Sequence, residues 1–315
     1  MSSNKKTKKH IVNNKKNKTM TVDDTYIVES SMDDLWNVWF TELHMGHSGL
    51  TVKVKRLIES TESKYQRIDV LDTEDFGKML VLYGSIMVAE NDLDSYNEMI
   101  AHVPLFTHPK PEKVLIIGGG DGGALTNVMK HPEVKRATMC ELDRKVVEVC
   151  KRHFPQLCKG YADKRARLIF RDGKEFIEKG KDKYDIIILD LSNTIGPAAE
   201  LFQQKFHRKV FKRLNDNGIM VAQSESPYYN PATVKQMYNN LRQIFPIVKM
   251  YTSHVPIYPS CYWSYAFCSK KYHPIDDFDA ARYKRLRLKN NYYNAEVHLG
   301  SFLLPEYVKK LISGK

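Results

Sequence analysis

The sequence predicts an α/β protein in which a doubly wound, mostly parallel sheet follows a small antiparallel β domain. From residue 114 onward, apolar runs of strand length alternate with segments of helical periodicity, which is the pattern of repeated βαβ units. Between residues 50 and 92, short period-2 segments are separated by Gly, Ser, Asp and Asn, which is typical of antiparallel strands. A doubly wound sheet places its ligand at the carboxyl ends of its strands, so the site is expected there.

Three regions are predicted along the chain. Residues 1–20 form a basic disordered tail, residues 21–92 an N-terminal β domain, and residues 93–315 a catalytic domain with a C-terminal helical extension. Residues 21–45 are interpreted as a loop and a short amphipathic lead-in, with Trp36 and Trp39 as packing anchors. The segment "NDLDSYNEMIAHVPLF" is expected to form a helix capped by Asp92 or Asp94.

In the alternating region each element is assigned from its periodicity and its bounding residues. Strands are predicted at 114–117, 137–141, 167–170, 184–190, 218–223, 247–251 and 262–268. Helices are predicted at 122–131, 144–154, 173–179, 203–214 and 231–244, and a short helix near the C-terminus is expected to pack against the body of the protein.

Composition excludes several classes of protein. No apolar run approaches the roughly 20 residues that a membrane span needs, and the basic start lacks the apolar core of a secretory signal. Seven lysines in residues 1–20 supply most of the net charge of +12. This favours a disordered arm over a nucleic acid-binding or membrane-binding one. The five cysteines show no C-x-x-C spacing, which favours reduced thiols in a cytoplasm.

The strongest local motif is "VLIIGGGDGGAL", an apolar strand that leads through Gly118 and Gly120 into a helix. Glycines in such a turn let a nucleotide-like ligand lie against bare backbone. Glu141 ends the next strand, where a carboxylate can bind both ribose hydroxyls of NAD or of an S-adenosyl sulfonium. Asp121 lies inside the turn and would repel a pyrophosphate, so a cationic ligand is favoured.

More acids follow at later strand ends. Asp172 precedes Gly173 at the third strand, within reach of an adenine amino group, and Asp190 closes the fourth in "ILDLSNTIGPA". Gln223 and Glu225 follow the fifth. Each acid alone is commonly a helix cap or a solvated loop residue. Together they concentrate negative charge in the crevice of a basic protein, which suits a positively charged substrate.

These motifs, with "SKYQRIDVLDTEDFGKMLVLYG", "HVPIYPS" and "YYNAEVHLGSFLLPEYV", resemble the polyamine aminopropyltransferases, spermidine synthases above all. The likeness runs from about residue 35 to the C-terminus. It implies a Rossmann-like, methyltransferase-type catalytic domain in a homodimer or homotetramer. The family transfers the aminopropyl group of decarboxylated S-adenosylmethionine, a co-substrate, to a di- or polyamine and releases methylthioadenosine. Neither a prosthetic group nor a metal is implied.

The resemblance also implies roles for single residues. Residues matched to the binding of the sulfonium co-substrate are Gln66, Gly118, Gly120, Asp121, Glu141, Asp172 and Gly173. Asp121 would bind its aminopropyl ammonium, and Asp190 would be the base. Tyr96, Asn193 and Tyr258 would contact the acceptor amine. The segment after Asp190 would close over the site.

The sequence departs from the family pattern near the acceptor. Asn193 replaces a second acid, Met87 a glutamine, Asn91 an arginine, and Cys261 a glycine at the channel rim; Asn97 stands where His or Gln is usual. The leading interpretation is an aminopropyltransferase that uses putrescine. Alternatives are a longer amine or agmatine as acceptor, methyl transfer to a small amine, and a nucleoside-binding homologue with little or no turnover.

Overall fold

The structure is a computed structural model and describes residues 37–44, 46–192 and 200–313. From Val38 onward, the described residues belong to one compact unit. The predicted fold class is confirmed, because an antiparallel sheet precedes a mostly parallel one covered by helices. None of the helices among these residues is long and apolar enough to cross a bilayer.

The first sheet is antiparallel, and its strands lie in chain order. The strands are β1 Val38–His44, β2 Ser48–Glu62, β3 Arg67–Thr73, β4 Lys78–Leu82 and β5 Ser85–Ala89. Side chains of β3 and β4 alternate between the two faces of the sheet, which buries Ile68, Val70 and Leu80 on one face. This face packs against the helix Arg144–His153, which belongs to the helices that cover the second sheet. This contact holds the first sheet against the helical layer of the second.

The interpretation of residues 21–45 as a loop and lead-in is wrong for its described C-terminal part. Residues Val38–His44 form β1, which pairs with β2 from Val38↔Val54 to His44↔Ser48. Trp39 is 52% exposed and is therefore not a packing anchor of this chain. Residues 1–20 and Trp36 lie outside the described residues. Period-2 alternation is short in this segment, which explains why it was missed.

The second sheet has the order β11-β12-β10-β9-β6-β7-β8, in which β6 to β10 run parallel and β11 and β12 run antiparallel. Its strands are β6 Lys113–Gly118, β7 Arg136–Glu141, β8 Ala166–Phe170, β9 Tyr184–Asp190, β10 Leu214–Gln223, β11 Ile247–His254 and β12 Tyr262–Ser269. The strands β6, β7 and β9 are neighbours, so the residues at their carboxyl ends meet at one edge.

Helices cover both faces of this sheet. They are α1 Asp94–Thr107, α2 Gly123–Met129, α3 Arg144–His153, α4 Gly173–Lys179, α5 Gln204–Arg213, α6 Pro231–Arg242, α7 Ala280–Leu286, α8 Ala295–Gly300 and α9 Glu306–Ile312. The predicted bounds of α4 and β9 are exact, and those of the other elements of this region differ by only a few residues. The expected C-terminal helix is α9, whose Val308 packs into the core.

Helix α1 is almost completely buried and carries Tyr96 into the site. The prediction that Asp92 or Asp94 caps it is wrong. Leu93 is the N-cap residue and supplies no side-chain bond, because the chain enters α1 from a 3-10 turn at Glu90–Asp92. The opposite end is capped by a buried cation. The Arg282 guanidinium donates to the carbonyl oxygens of Leu105 and His108 at 2.5 and 2.9 Å, which suits a helix C-terminus.

The rim residue Cys261 adopts a backbone conformation that glycine favours, with φ of +53°. We expect Cys261→Gly to raise the free energy of unfolding by about 0.5–1 kcal/mol. The left-handed conformation costs a residue with a Cβ about 1–2 kcal/mol, which glycine avoids. Part of this gain is lost because glycine makes the unfolded chain more flexible. Thermal unfolding measures the gain. Cys261→Ala removes the thiol but keeps the Cβ, so an equal gain in that variant would contradict the explanation.

Candidate active site

One cleft collects the predicted residues at the carboxyl ends of β6, β7 and β9. We call this cavity of about 180 Å³ the main cleft. Ten predicted site residues line it: Gln66, Tyr96, Gly118, Gly120, Asp121, Glu141, Asp172, Gly173, Asp190 and Tyr258. The eleventh, Asn193, lies outside the described residues, as does most of the loop that follows Asp190.

Asp190 lies at the centre of the main cleft, at the end of β9. Its Oδ1 accepts a 2.7 Å hydrogen bond from the Tyr96 hydroxyl, while its buried Oδ2 has no partner among the described residues. Burial, reinforced by the charge of Asp121, raises the pKa of Asp190 to about 8. Without a neighbouring cation, this environment favours the protonated acid at pH 7. A cation beside it would offset the repulsion and return the carboxylate.

The glycine turn makes room for Asp190 as well as for a ligand. Gly118 pairs with Asp190 in the sheet, and a Cβ at Gly118 would lie 2.1 Å from the Asp190 carbonyl oxygen. A Cβ at Gly119 would lie 2.8 Å from Asp190 Oδ2. Both glycines also have positive φ, +83° and +73°. The glycines are therefore needed for two reasons. They leave room for a ligand, which the sequence indicated, and they leave room for Asp190, which it did not.

The carboxylates of the turn and of β7 are oriented by main-chain donors. Asp121 Oδ1 accepts from the Gly123 N–H at 2.7 Å, and Glu141 Oε1 accepts from the Asp143 N–H at 2.8 Å. Burial raises the pKa of Glu141 to about 7 and also raises the pKa of Asp121. Like Asp190, these acids form no ion pair with a basic side chain among the described residues, since the one lysine of the cleft pairs with Glu200, and this favours a cationic ligand.

Gln66 and Asp172 are placed by different means. Gln66 Nε2 donates to Asp143 Oδ2 at 3.1 Å, which leaves the Gln66 amide oxygen available to a ligand donor. The sequence did not indicate Asp143, which also caps α3. Asp172 is both a cleft residue and the N-cap of α4, where its Oδ1 accepts from the Lys174 and Glu175 N–H groups. A Cβ at Gly173 would lie 2.4 Å from Ile117 Cγ2, so packing requires this glycine.

The charge of the main cleft is strongly one-sided. Among the described residues that line it, the only basic side chain is Lys174, and this lysine pairs with Glu200. Seven acids line it: Asp92, Asp121, Glu141, Asp143, Asp172, Asp190 and Glu200. The predicted concentration of acidic residues is therefore present in the structure, in a chain whose net charge is +12.

A second cavity of about 190 Å³, which we call the side chamber, lies behind Tyr96 and Tyr258. It is adjacent to the main cleft, because these tyrosines and three further residues line both. The two rings meet edge to face, with centroids 5.6 Å apart, and the Tyr258 hydroxyl donates to the Met87 carbonyl oxygen at 2.7 Å. An extended ligand that passes these rings would reach from one cavity to the other.

Two carboxylates, Glu42 and Glu225, line the side chamber. Burial, with a smaller contribution from the charge of Glu225, raises the pKa of Glu42 to about 7. Glu225 is buried and has a φ of +65°, a strained conformation for a residue with a side chain. The sequence analysis noted Glu225 only as a strand-end acid. It missed Glu42, which lies in β1, because a single acid within the short alternating segment "TELH" gives no distinct signal.

The residues that depart from the family pattern have mixed positions. Met87 and Asn97 line the main cleft, whereas Asn91 does not and instead donates to the Asp75 carbonyl oxygen at 2.8 Å. Asn97 is 4% exposed, and its Oδ1 has no partner among the described residues. Among these residues, no group of three His, Cys, Asp or Glu side chains is placed to hold a metal ion.

Comparison with known proteins decides the family. Residues 93–279 match the sequence profile of the spermine/spermidine synthase domain, and residues 38–90 match that of the spermidine synthase tetramerisation domain. The chain belongs to the spermine/spermidine synthase family. The predicted enzyme class, an aminopropyltransferase, is thereby confirmed. The tetramerisation match supports a homo-oligomer, and the number of subunits remains a prediction.

Relatives in this family cover nearly the whole chain. A polyamine aminopropyltransferase of Clostridium beijerinckii is 40% identical over 88% of this chain and 98% of its own length. One from Caldicellulosiruptor saccharolyticus is 42% identical over 87% of this chain and 98% of its own length.

Solved structures in the family have the same fold. A spermidine synthase in complex with the transition-state analogue AdoDATO matches with a TM-score of 0.86 at 39% identity, over 88% of this chain and 96% of that one. The spermidine synthase from Thermotoga maritima matches with a TM-score of 0.84 at 38% identity, over 90% of this chain and 99% of that one.

Proposed function

We propose that this aminopropyltransferase moves the aminopropyl group of decarboxylated S-adenosylmethionine to putrescine, giving spermidine and methylthioadenosine in the cytoplasm. One observation carries the proposal: a buried carboxylate, Asp190, lines an acid-lined cleft, and its hydrogen-bond partner Tyr96 lines both this cleft and a second acidic chamber. Two cationic substrates could occupy the two cavities and meet at Asp190. A spermidine synthase of the same fold has been solved in complex with the transition-state analogue AdoDATO, which supports this choice of co-substrate.

In the main cleft, Glu141 would hold the ribose hydroxyls and Asp172 the adenine amino group. Asp121 would bind the aminopropyl ammonium, helped by the oriented amide oxygen of Gln66. An intact S-adenosylmethionine would bring its carboxylate near Asp121, and like charges in a cleft of low dielectric repel. The decarboxylated form lacks that charge, so the same residues would bind and select the co-substrate.

The chemical step needs a free amine. At pH 7 an alkyl ammonium with a pKa of about 10.4 must lose a proton, which costs about 4.6 kcal/mol. Asp190 Oδ2 would take that proton while Tyr96 fixes the carboxylate through Oδ1. The nitrogen lone pair then attacks the aminopropyl carbon, the carbon–sulfur bond breaks, and its electron pair neutralises the sulfonium. The sulfonium is a good leaving group, so positioning supplies much of the remaining rate.

The acceptor assignment depends on the side chamber. A diamine whose reacting nitrogen lies at Asp190 would extend past Tyr96 and Tyr258 and place its remote ammonium near Glu42 and Glu225. Burial raises the pKa of Glu42 to about 7, and a cation beside this carboxyl would lower its pKa and favour the carboxylate. The side chamber thereby offers a second acidic pocket for the remote ammonium of a diamine.

The direct test incubates the purified chain with decarboxylated S-adenosylmethionine and one amine at a time: putrescine, agmatine, spermidine or none. Mass spectrometry is expected to show spermidine and methylthioadenosine in equal amounts with putrescine. A higher kcat/KM with agmatine or spermidine would replace the acceptor assignment. Absence of methylthioadenosine with every amine would reject aminopropyl transfer, and S-adenosylhomocysteine from intact S-adenosylmethionine would indicate methyl transfer instead.

A matched pair of amines tests the side chamber. We expect Glu225→Gln to raise the KM for putrescine about 10-fold, because a hydrogen bond to a charged group contributes about 1.5 kcal/mol or more. The side-chain shape is kept, and the glutamine oxygen can still accept from Asn230 Nδ2. Steady-state rates with n-butylamine, which has no remote ammonium, should change by less than about 2-fold. An equal loss with both amines would contradict the assignment.

A further inference from the structure

The C-terminal segment 290–301 contacts both elements that carry the tyrosines of the acceptor path. Tyr96 lies on α1, and Tyr258 lies in the loop after β11. Two direct hydrogen bonds join these elements: the Tyr251 hydroxyl of β11 donates to the Met99 carbonyl oxygen of α1 at 3.1 Å, and the Ile257 N–H donates to Asp92 Oδ2 at 3.5 Å. The segment adds a further connection, to α1 through Glu98 and to β11 through Tyr292 and Ser301.

On α1, the Glu98 carboxylate is an anchor for the segment. It is 1% exposed and accepts from three successive main-chain N–H groups, those of Asn291, Tyr292 and Tyr293, at 3.1, 2.9 and 2.7 Å. Lys130 Nζ lies 3.8 Å from Glu98 Oε1. A buried charge must be paired or fully hydrogen-bonded, and these donors satisfy it. The turn at residues 291–293 is thereby fixed to the helix two residues after Tyr96.

On β11, the segment covers an edge strand. The outward N–H of Thr252 donates to the Ser301 carbonyl oxygen at 3.0 Å, and that of His254 donates to the Tyr292 hydroxyl at 2.9 Å. His254 is the last residue of β11, and the loop that leads to Tyr258 begins directly after it. Among the described residues, the hydrogen bond from His254 to the Tyr292 hydroxyl is therefore the only one that the segment makes where that loop starts.

We propose that Tyr292 is a positioning residue for the acceptor path. Its N–H donates to Glu98 on α1, and its hydroxyl accepts from the His254 N–H at the end of β11. Through these two bonds it sets the position of Tyr258 relative to Tyr96. It does not line the main cleft or the side chamber and touches no reacting group. Its loss should loosen the wall on the Tyr258 side and leave the nucleoside end of the cleft, formed by β6 and β7, unchanged.

The test rests on the proposed function for its kinetic readout and compares Tyr292→Phe with Tyr272→Phe. The control tyrosine likewise accepts one hydrogen bond at its hydroxyl, in this case from the Asn217 side chain at 3.2 Å, and it lines neither cavity. We expect Tyr292→Phe to raise the KM for the acceptor amine about 5-fold, the usual size for one lost hydrogen bond. The KM for the sulfonium and the melting temperature should match those of the control. Equal shifts in both KM values, or none, would overturn the proposal.

Hydrogen exchange of the amides at residues 254–258 gives a second readout that needs no turnover. Protection of the His254 amide should fall in Tyr292→Phe and remain in Tyr272→Phe. If the wild-type chain turns over no amine, the proposed function fails while this measurement still decides the positioning role. Unchanged protection in Tyr292→Phe would contradict that role whatever the kinetics show.

Discussion

Asp190→Asn is expected to lower the rate of the chemical step by about 10²–10⁴-fold, the usual contribution of a positioned general base. Asparagine keeps the shape of the side chain and can still accept the Tyr96 hydrogen bond through Oδ1, but it cannot take a proton. The sulfonium should bind with a Kd within about 3-fold of the wild-type value, because Asp121, Glu141 and Asp172 are untouched.

Rapid-quench measurement of methylthioadenosine formation gives the rate of that step, and calorimetry gives the Kd. Asp216→Asn is a suitable control, since the Asp216 side chain is fully exposed and lies at the amino end of β10, away from the cleft. A parallel loss of rate and of sulfonium affinity in Asp190→Asn would show that Asp190 binds the co-substrate and would contradict its role as base.

Asp121→Asn is expected to weaken binding of decarboxylated S-adenosylmethionine by about 10- to 100-fold, because a hydrogen bond between charged groups is lost in a buried site. The asparagine oxygen can still accept from the Gly123 N–H, so the glycine turn should keep its conformation. Methylthioadenosine shares the adenosine but lacks the aminopropyl ammonium. Its Kd should therefore change by less than about 3-fold.

Calorimetry with both ligands separates the two contributions. Selective loss of affinity for the sulfonium places the aminopropyl ammonium at Asp121. Equal weakening of both ligands would mean that Asp121 supports the turn rather than the cation, and the basis for selecting the decarboxylated form would then be absent.

The alternating region was predictable because its physics is local and repetitive. Helix α4 and strand β9 have the bounds that periodicity indicates, and the acids at successive strand ends meet in one cleft because parallel neighbours end at one edge. Strand β1 was not predictable in the same way. Its pairing with β2 supplies the order that its short, partly exposed alternation does not.

The part of the site that the sequence did not give depends on contacts between distant residues. Glu42 enters the side chamber because β1 pairs with β2, and Asp143 orients Gln66 across 77 positions of sequence. The same holds for Glu98, whose partners follow it by more than 190 positions. Such contacts leave no periodic signal along the chain, so only the folded arrangement reveals them.

The central claim is that an acidic cleft selects a doubly cationic sulfonium. The most direct measurement is calorimetric titration of the wild-type chain with decarboxylated S-adenosylmethionine, intact S-adenosylmethionine and NAD under one set of conditions. The decarboxylated sulfonium is expected to bind at least about 10-fold more tightly than either competitor, because only it brings positive charge without a carboxylate or a pyrophosphate. Equal or tighter binding of intact S-adenosylmethionine or of NAD would contradict the claim.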